Sequence, residues 1–160
     1  MSDLLQALYR GDRAEAERQA HGRDLNVFEA AALGRSERLR ELLDEDPSLA
    51  NTFGDDGFHP VGLACFFGNV DATRLLLERG ADANVLSRNE RIETSALHAA
   101  AAAEGKDEAT RYELVKLALD HGADPDLPQG GDGGFRAIDA ARLNGDTRIE
   151  QLLIERGATP

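Results

Sequence analysis

The chain has 160 residues, 41% of them hydrophobic, and carries 30 acidic against 18 basic side chains for a formal net charge of −12. That is about one domain's worth of chain with enough apolar residues for a core, and its negative field repels nucleic-acid backbones and anionic membranes. No apolar run approaches the roughly 18 residues of a membrane helix, and the start MSDLLQALYRGD lacks the basic head and apolar run of a secretory signal. A soluble, cytoplasmic protein is expected, with a neutral or basic partner. Arginine greatly outnumbers lysine, of which only Lys106 and Lys116 occur, a bias that points to a GC-rich bacterial genome. The single cysteine, Cys65, cannot build a disulfide or a cysteine zinc site within the chain. In the run LACFFG it reads as a small buried hydrophobe.

In chain order, LLQALYRGDRAEAERQ predicts a short helix pair that is polar on one side, as a terminal unit should be. From there an Ala-x-x-x-Gly marker recurs, at Ala7 to Gly11, Ala30 to Gly34, Ala64 to Gly68, Ala101 to Gly105 and Ala141 to Gly145. Helical stripes follow the later glycines: Leu39, Leu42 and Leu43; Ala72, Leu75 and Leu76; Leu114, Leu117 and Ala118; Ile149, Leu152 and Leu153. The i, i+3, i+4 spacing puts each trio on one helix face. Each unit is therefore predicted to be helix, Gly turn, helix. The second helix stops at Gly80, Gly122 and Gly157, where a left-handed C-cap is wanted. Between units, NTFGDDG, VLSRNERIET and LPQGGDGG read as protruding loops or β-turns.

Residues 56–84, DGFHPVGLACFFGNVDATRLLLERGADAN, resemble an ankyrin repeat nearly end to end. Ser95-Ala96-Leu97-His98-Ala99-Ala100 is similar to the family's T-P-L-H-x-A helix start. HPVGLA (59–64) keeps Pro60 and Ala64, RAIDAA (136–141) matches weakly, and NVFEA (26–30) matches in pattern alone. The resemblance covers roughly residues 24–160, with residues 3–21 similar to a shortened cap. It implies an all-α ankyrin-repeat solenoid of about five stacked helix pairs with projecting loops. Approximate units are 1–23 (cap), 24–53, 54–86, 87–128 and 129–160. One pair cannot bury its apolar face alone, so the phrase must recur.

Similarity to this family implies non-catalytic protein binding through a concave groove, made by the first helix of each pair and the loop tips. The aromatic residues are sparse, and Phe66 and Phe67 fall in the variable slots before Gly68. Phe58 precedes the His-Pro step, and Phe135 holds the matching slot of the last unit. Tyr9, Leu33 and Leu143 occupy variable slots before Gly11, Gly34 and Gly145. Together the phenylalanines suit an interface hot spot, though each alone could simply pack on a neighbouring helix. Asp55 and Asp56 sit on the first tip, Arg88, Asn89, Glu90 and Arg91 on a longer second tip, and Asp132 on the third. Residues 103–113, AEGKDEATRYE, add length between the two helices of their unit, either as a second contact surface or as an idle insertion.

Other readings remain open at this level. His59 with Asp55 and Asp56 could bind a metal or act as a base, but no second His or oxyanion device lies nearby. His98 matches the family's structural histidine. There is no P-loop, GxGxxG, GxSxG or HExxH, and GGDGG precedes no Lys-Ser/Thr. Neither an enzyme nor a cofactor is expected. Alternatives are a dedicated regulatory or inhibitory subunit that blocks one enzyme, and a dimer that hides the aromatics in place of the expected monomer.

Overall fold

The computed structural model describes residues 1–130 and 134–160. Among them are ten α-helices and one 3₁₀ turn, with no strands. The helices come in consecutive pairs: α1 (Asp3–Tyr9) with α2 (Arg13–Ala20), α3 (Val27–Leu33) with α4 (Ser36–Glu45), and α5 (Pro60–Phe66) with α6 (Val70–Glu78). Then follow α7 (Ala96–Ala101) with α8 (Glu108–Asp120), and α9 (Ala137–Asn144) with α10 (Thr147–Glu155). The first helices pack side by side in the order α1, α3, α5, α7, α9, and the second helices α4, α6, α8, α10 form a layer behind them. The fold is the all-α solenoid the repeats predict.

The core is one continuous cluster of leucine and alanine. Small residues on the first helices, Ala30, Ala64, Ala100 and Ala141, are fully buried and let the neighbouring layer approach. Leu39, Leu43, Leu76, Leu114, Ile149 and Leu153 close that core from the second helices. Leu42 is the one stripe residue left partly exposed.

Polar side chains tie each unit to the next. The Asn69 amide donates to the carbonyls of Ala31 (2.9 Å) and Ala32 (2.7 Å), satisfying the open end of α3 from the following pair. Asn144 does the same for Ala101 (3.1 Å). Gly34 makes room for this contact. Its φ is 74°, and a Cβ there would lie 2.8 Å from the Asn69 side-chain oxygen. On the other side of the stack, Asn51 donates to the Gly80 carbonyl (2.9 Å) and accepts from the Asp82 N–H (2.8 Å). Asn84 repeats both bonds on Gly122 (2.9 Å) and Asp124 (2.7 Å). The final tie is made by Asp126, whose carboxylate accepts from the Thr159 N–H (2.9 Å) and hydroxyl (2.6 Å).

The extra length at 103–113 is split between the α7–α8 link and an added turn of α8, which at 13 residues is the longest helix. It is anchored to the last pair. Arg111 makes a bidentate pair with Asp146, at 2.7 Å for each bond, and its guanidinium also donates to the Lys106 carbonyl. The two side chains retain 13% and 5% of their exposure. Arg148 lies over the Tyr112 ring at 4.6 Å. The insertion therefore bolts the fourth pair to the start of α10.

Two stability outcomes follow. Arg111→Ala leaves the Asp146 carboxylate buried without its partner, and is expected to lower unfolding free energy by about 3 kcal/mol. Arg40→Ala at the exposed Glu37 pair should cost at most about 0.5 kcal/mol. Equal urea midpoints for the two variants would show that the bolt carries no energy. Asn69→Ala, which strands two part-buried carbonyls, should cost about 1–3 kcal/mol. Asn84→Ala, whose partners are open to water, should cost about 1 kcal/mol or less in the same titration.

Candidate functional site

The site is built where the loops between pairs stand over the first helices. Gly54 to Phe58 closes a small hairpin through the Gly54 N–H and the Phe58 carbonyl (2.9 Å). Residues 87–94 form the next, through the Ser87 N–H and the Thr94 carbonyl (2.9 Å). The two fingers lock together: the Arg88 N–H donates to the Gly57 carbonyl (2.7 Å), and the Asn89 amide to the Asp56 carbonyl (2.8 Å). Gly57 permits this. A Cβ there would sit 2.4 Å from the Arg88 carbonyl carbon.

Beneath the locked fingers lies an apolar cavity of about 400 Å³ over α5 and α7, walled by Tyr9, Phe58, Phe66, Asn89, Arg91 and Ile92. The Phe66 and Phe67 rings meet edge-on, with centroids 5.1 Å apart. Tyr9 from α1 lies 5.6 Å from Phe67 and 6.3 Å from Phe58. Offset and edge-on pairs of this kind are favourable beyond their buried area. The Tyr9 hydroxyl donates to Asp56 (3.1 Å). Burial and the Asp56 charge push the phenol far above its ordinary pKa, so it remains a neutral donor. Asp56 also accepts from the Phe58 N–H (3.1 Å), which fixes the aromatic wall to the finger.

The predicted residues are distributed unevenly around this cavity. Phe58 and Phe66 line it, Phe67 joins the same aromatic cluster from the side, and Asp56 and Arg91 stand at its rim. Asp55 does not line the cavity but pairs with the ammonium of Met1 (3.3 Å), which does. Arg88 is folded over the Phe53 ring at 4.0 Å. Phe135, 40% exposed, and Leu143, 79% exposed, lie outside the cavity wall. Asp132 lies outside the described residues. Ile92, 45% exposed, was missed. Its signal was a lone aliphatic residue in the polar finger SRNERIET.

A family model for ankyrin repeats, in three copies, matches residues 27–129. This chain belongs to the ankyrin-repeat family. The rat ankyrin repeat and SAM domain-containing protein 6 is 30% identical over 130 residues, which is 80% of this chain but 14% of that protein. The human DNA-binding protein RFXANK is 36% identical over 64 residues, 40% of this chain and 25% of that one. The chimpanzee ankyrin repeat, SAM and basic leucine zipper domain-containing protein 1 is 34% identical over 98 residues, 61% of this chain and 19% of its own. This ankyrin-repeat chain therefore spans only a small part of each relative.

As an ankyrin-repeat protein it starts its first helices in an informative way. Each start needs its open N–H groups satisfied. At α7, Ser95 and His98 exchange bonds, Ser95 Oγ lying 2.9 Å from His98 Nδ1. At α3 the same exchange is made by Asn26 and a buried Glu29, which also pairs with Arg23 (3.3 Å). At α9, the Arg136 N–H donates to Asp139 (2.9 Å). At α5 the imidazole has moved to the cap itself: His59 Nδ1 accepts from the Gly62 N–H (3.0 Å). A Cβ on Gly62 would lie 2.7 Å from the His59 ring, so the glycine vacates the space the displaced histidine fills.

Accepting at Nδ1 leaves the proton on Nε2 in both histidines. His59 faces the backbone of Val85 in its own unit and Thr94 in the next, and His98 that of Leu127 in its own unit and Phe135 in the next, though neither Nε2 reaches a hydrogen-bond partner among the described residues. Both rings are buried. Among the described residues no three His, Cys, Asp or Glu side chains are grouped to hold an ion. Cys65 is buried beside Thr73 (3.7 Å), and burial pushes its thiol up to about 12, the opposite of the shift that activates a thiolate.

Desolvation depresses both imidazoles below their ordinary 6.5. The unfolded chain then binds more protons than the folded one as pH falls through that value. Stability from these sites is full above about pH 6.5 and is lost below it, toward the folded pKa. The thermal midpoint should drop between about pH 7.5 and 5.5, and His59→Asn/His98→Gln should flatten that drop. A slope unchanged in the double variant would assign it to other groups.

Proposed function

We propose that this protein is a non-catalytic module that binds another protein, seating an apolar side chain of its partner in the finger-walled cavity. The observation that carries this is the aromatic cluster of Tyr9, Phe58, Phe66 and Phe67 beside a preformed apolar cavity. Monomeric proteins seldom leave such a patch without use, and aromatic anchors in pockets supply most of the energy of many interfaces. Arg91 offers a polar contact at the rim that can fix a partner's register.

The expected site residues are Phe58, Phe66, Phe67 and Arg91, to which the cavity lining adds Tyr9 and Ile92. The five repeat units are read as one binding domain, with partner contact concentrated between the first and fourth pairs. Phe66→Glu/Phe67→Glu replaces two half-buried rings with charge at the surface and should leave circular dichroism unchanged. Quantitative affinity capture from the source cell should lose the partner by tenfold or more, on the order of 1.4 kcal/mol. Undiminished capture by the folded variant would sink the groove assignment and move the contact to the α7–α8 link.

A further inference from the structure

The charge of the groove is opposite to that of the molecule. Most basic side chains here are already committed to carboxylates, as in Arg13–Glu17, Arg79–Asp44, Arg136–Asp126 and Arg156–Asp120. Arg88 and Arg148 are spent on aromatic rings. Among the described residues, three cations have neither a carboxylate within 4.0 Å nor a ring beneath them: Arg10, Arg91 and Lys106. All three border the aromatic cluster. Arg91 stands at the finger side of the apolar cavity. Arg10 and Lys106 line the adjoining hollow against Tyr9, Phe66 and Phe67, also about 400 Å³.

Lys106 is positioned for this. Its alkyl stem lies across Gly68, where a Cβ would come within 2.5 Å of the Lys106 Cε. The stem covers the turn beside Phe67 and presents the ammonium at the rim, as long basic side chains do on apolar surface. The opposing charges nearby include Asp55, paired with the Met1 ammonium, and Glu90 and Glu93, which share the finger with Arg91 but do not line the two hollows against the aromatic rings. Asp56 is held by the Tyr9 hydroxyl, and Glu104 stands at the edge of the second hollow. In a chain with 30 acidic and 18 basic side chains, three uncommitted cations around one aromatic patch form a local inversion of sign.

We propose that the occupant is an acidic peptide segment of a partner protein: an aromatic or large aliphatic residue anchored among Phe58, Phe66 and Tyr9, flanked on both sides by Asp or Glu that meet Arg91 at one end and Arg10 and Lys106 at the other. This rests on the groove reading above and goes beyond it by fixing the charge of the partner. The whole-chain charge of −12 would select a basic partner at long range, but contact specificity is set by the charges at the rim. Beyond a Debye length of about 8 Å at physiological salt, the distant carboxylates are screened.

The test is selection from a random dodecapeptide display library on three forms of the full chain: wild type, Arg10→Glu/Arg91→Glu/Lys106→Glu, and Phe66→Glu/Phe67→Glu. Circular dichroism confirms that each is folded. Wild type should enrich peptides with an aromatic or Leu/Ile anchor between Asp/Glu residues. The charge-reversed form should bind those peptides about tenfold more weakly or worse, with the loss shrinking at high salt, and should itself enrich Lys/Arg flanks. The Phe variant should lose the anchor preference. Wild-type enrichment of basic or charge-neutral peptides, abolished by the Phe variant, would overturn the acidic partner and leave the groove standing. Enrichment retained by the Phe variant, or no enriched motif on wild type, would overturn both.

Discussion

Wherever a helix pair turns back on itself, it leaves backbone carbonyls and N–H groups that it cannot satisfy alone, and the whole stack depends on the next unit meeting them. Asn69 caps the end of α3 from the following pair, and Asn51 and Asn84 each bridge a carbonyl and an N–H one unit on. Hydrophobic burial favours stacking at many angles. These paired bonds admit only one offset, because an amide that donates and accepts across the same seam fixes both translation and twist. The recurring Gly of the phrase ERGADAN, with Asn84 in one copy and Asp126 at the same place in the next, is the written form of that requirement.

The candidate binding surface arises from the same seam on its other edge. The fingers are held in register by Arg88 to Gly57 and Asn89 to Asp56, so the walls of the cavity are fixed by backbone contacts rather than by side-chain packing alone. A lengthened second finger brings Arg91 and Ile92 over α5 and α7. The aromatic cluster then needs only residues in slots that the stack leaves unused. The scaffold and the site draw on separate positions of each unit, which is how one fold carries unrelated partners.

The helical stripes and stop glycines were legible because their spacing is a direct image of helix geometry. The helix starts were harder. Read position by position, HPVG, NVFE and RAID look like weak copies of one motif. In space each is a cap and third-residue pair, filled by His59 with Gly62, Asn26 with Glu29, and Arg136 with Asp139. The chemistry was conserved across the pair and exchanged between its members, which a single-position match cannot register. Long-range partners were equally hidden. Nothing in AEGKDEATRYE says that Arg111 will find Asp146, 35 residues on. Slot matching placed Phe58, Phe66 and Phe67 together but grouped Phe135 with them, since it carries no information on where each finger stands relative to the next.

One ring in the cavity wall comes from the unit with the smallest share of the core. Tyr9 ends α1, whose companion α2 buries only Ala16. In a linear array each unit is held only by its neighbours, and a unit that buries few residues opens at a low free energy. A ligand resting on Tyr9 therefore binds a surface that exists only while the first pair is docked. Occupancy of the cavity and docking of the first pair would then be a single equilibrium: loosening that pair would weaken binding in proportion, and a bound ligand would shield it from opening.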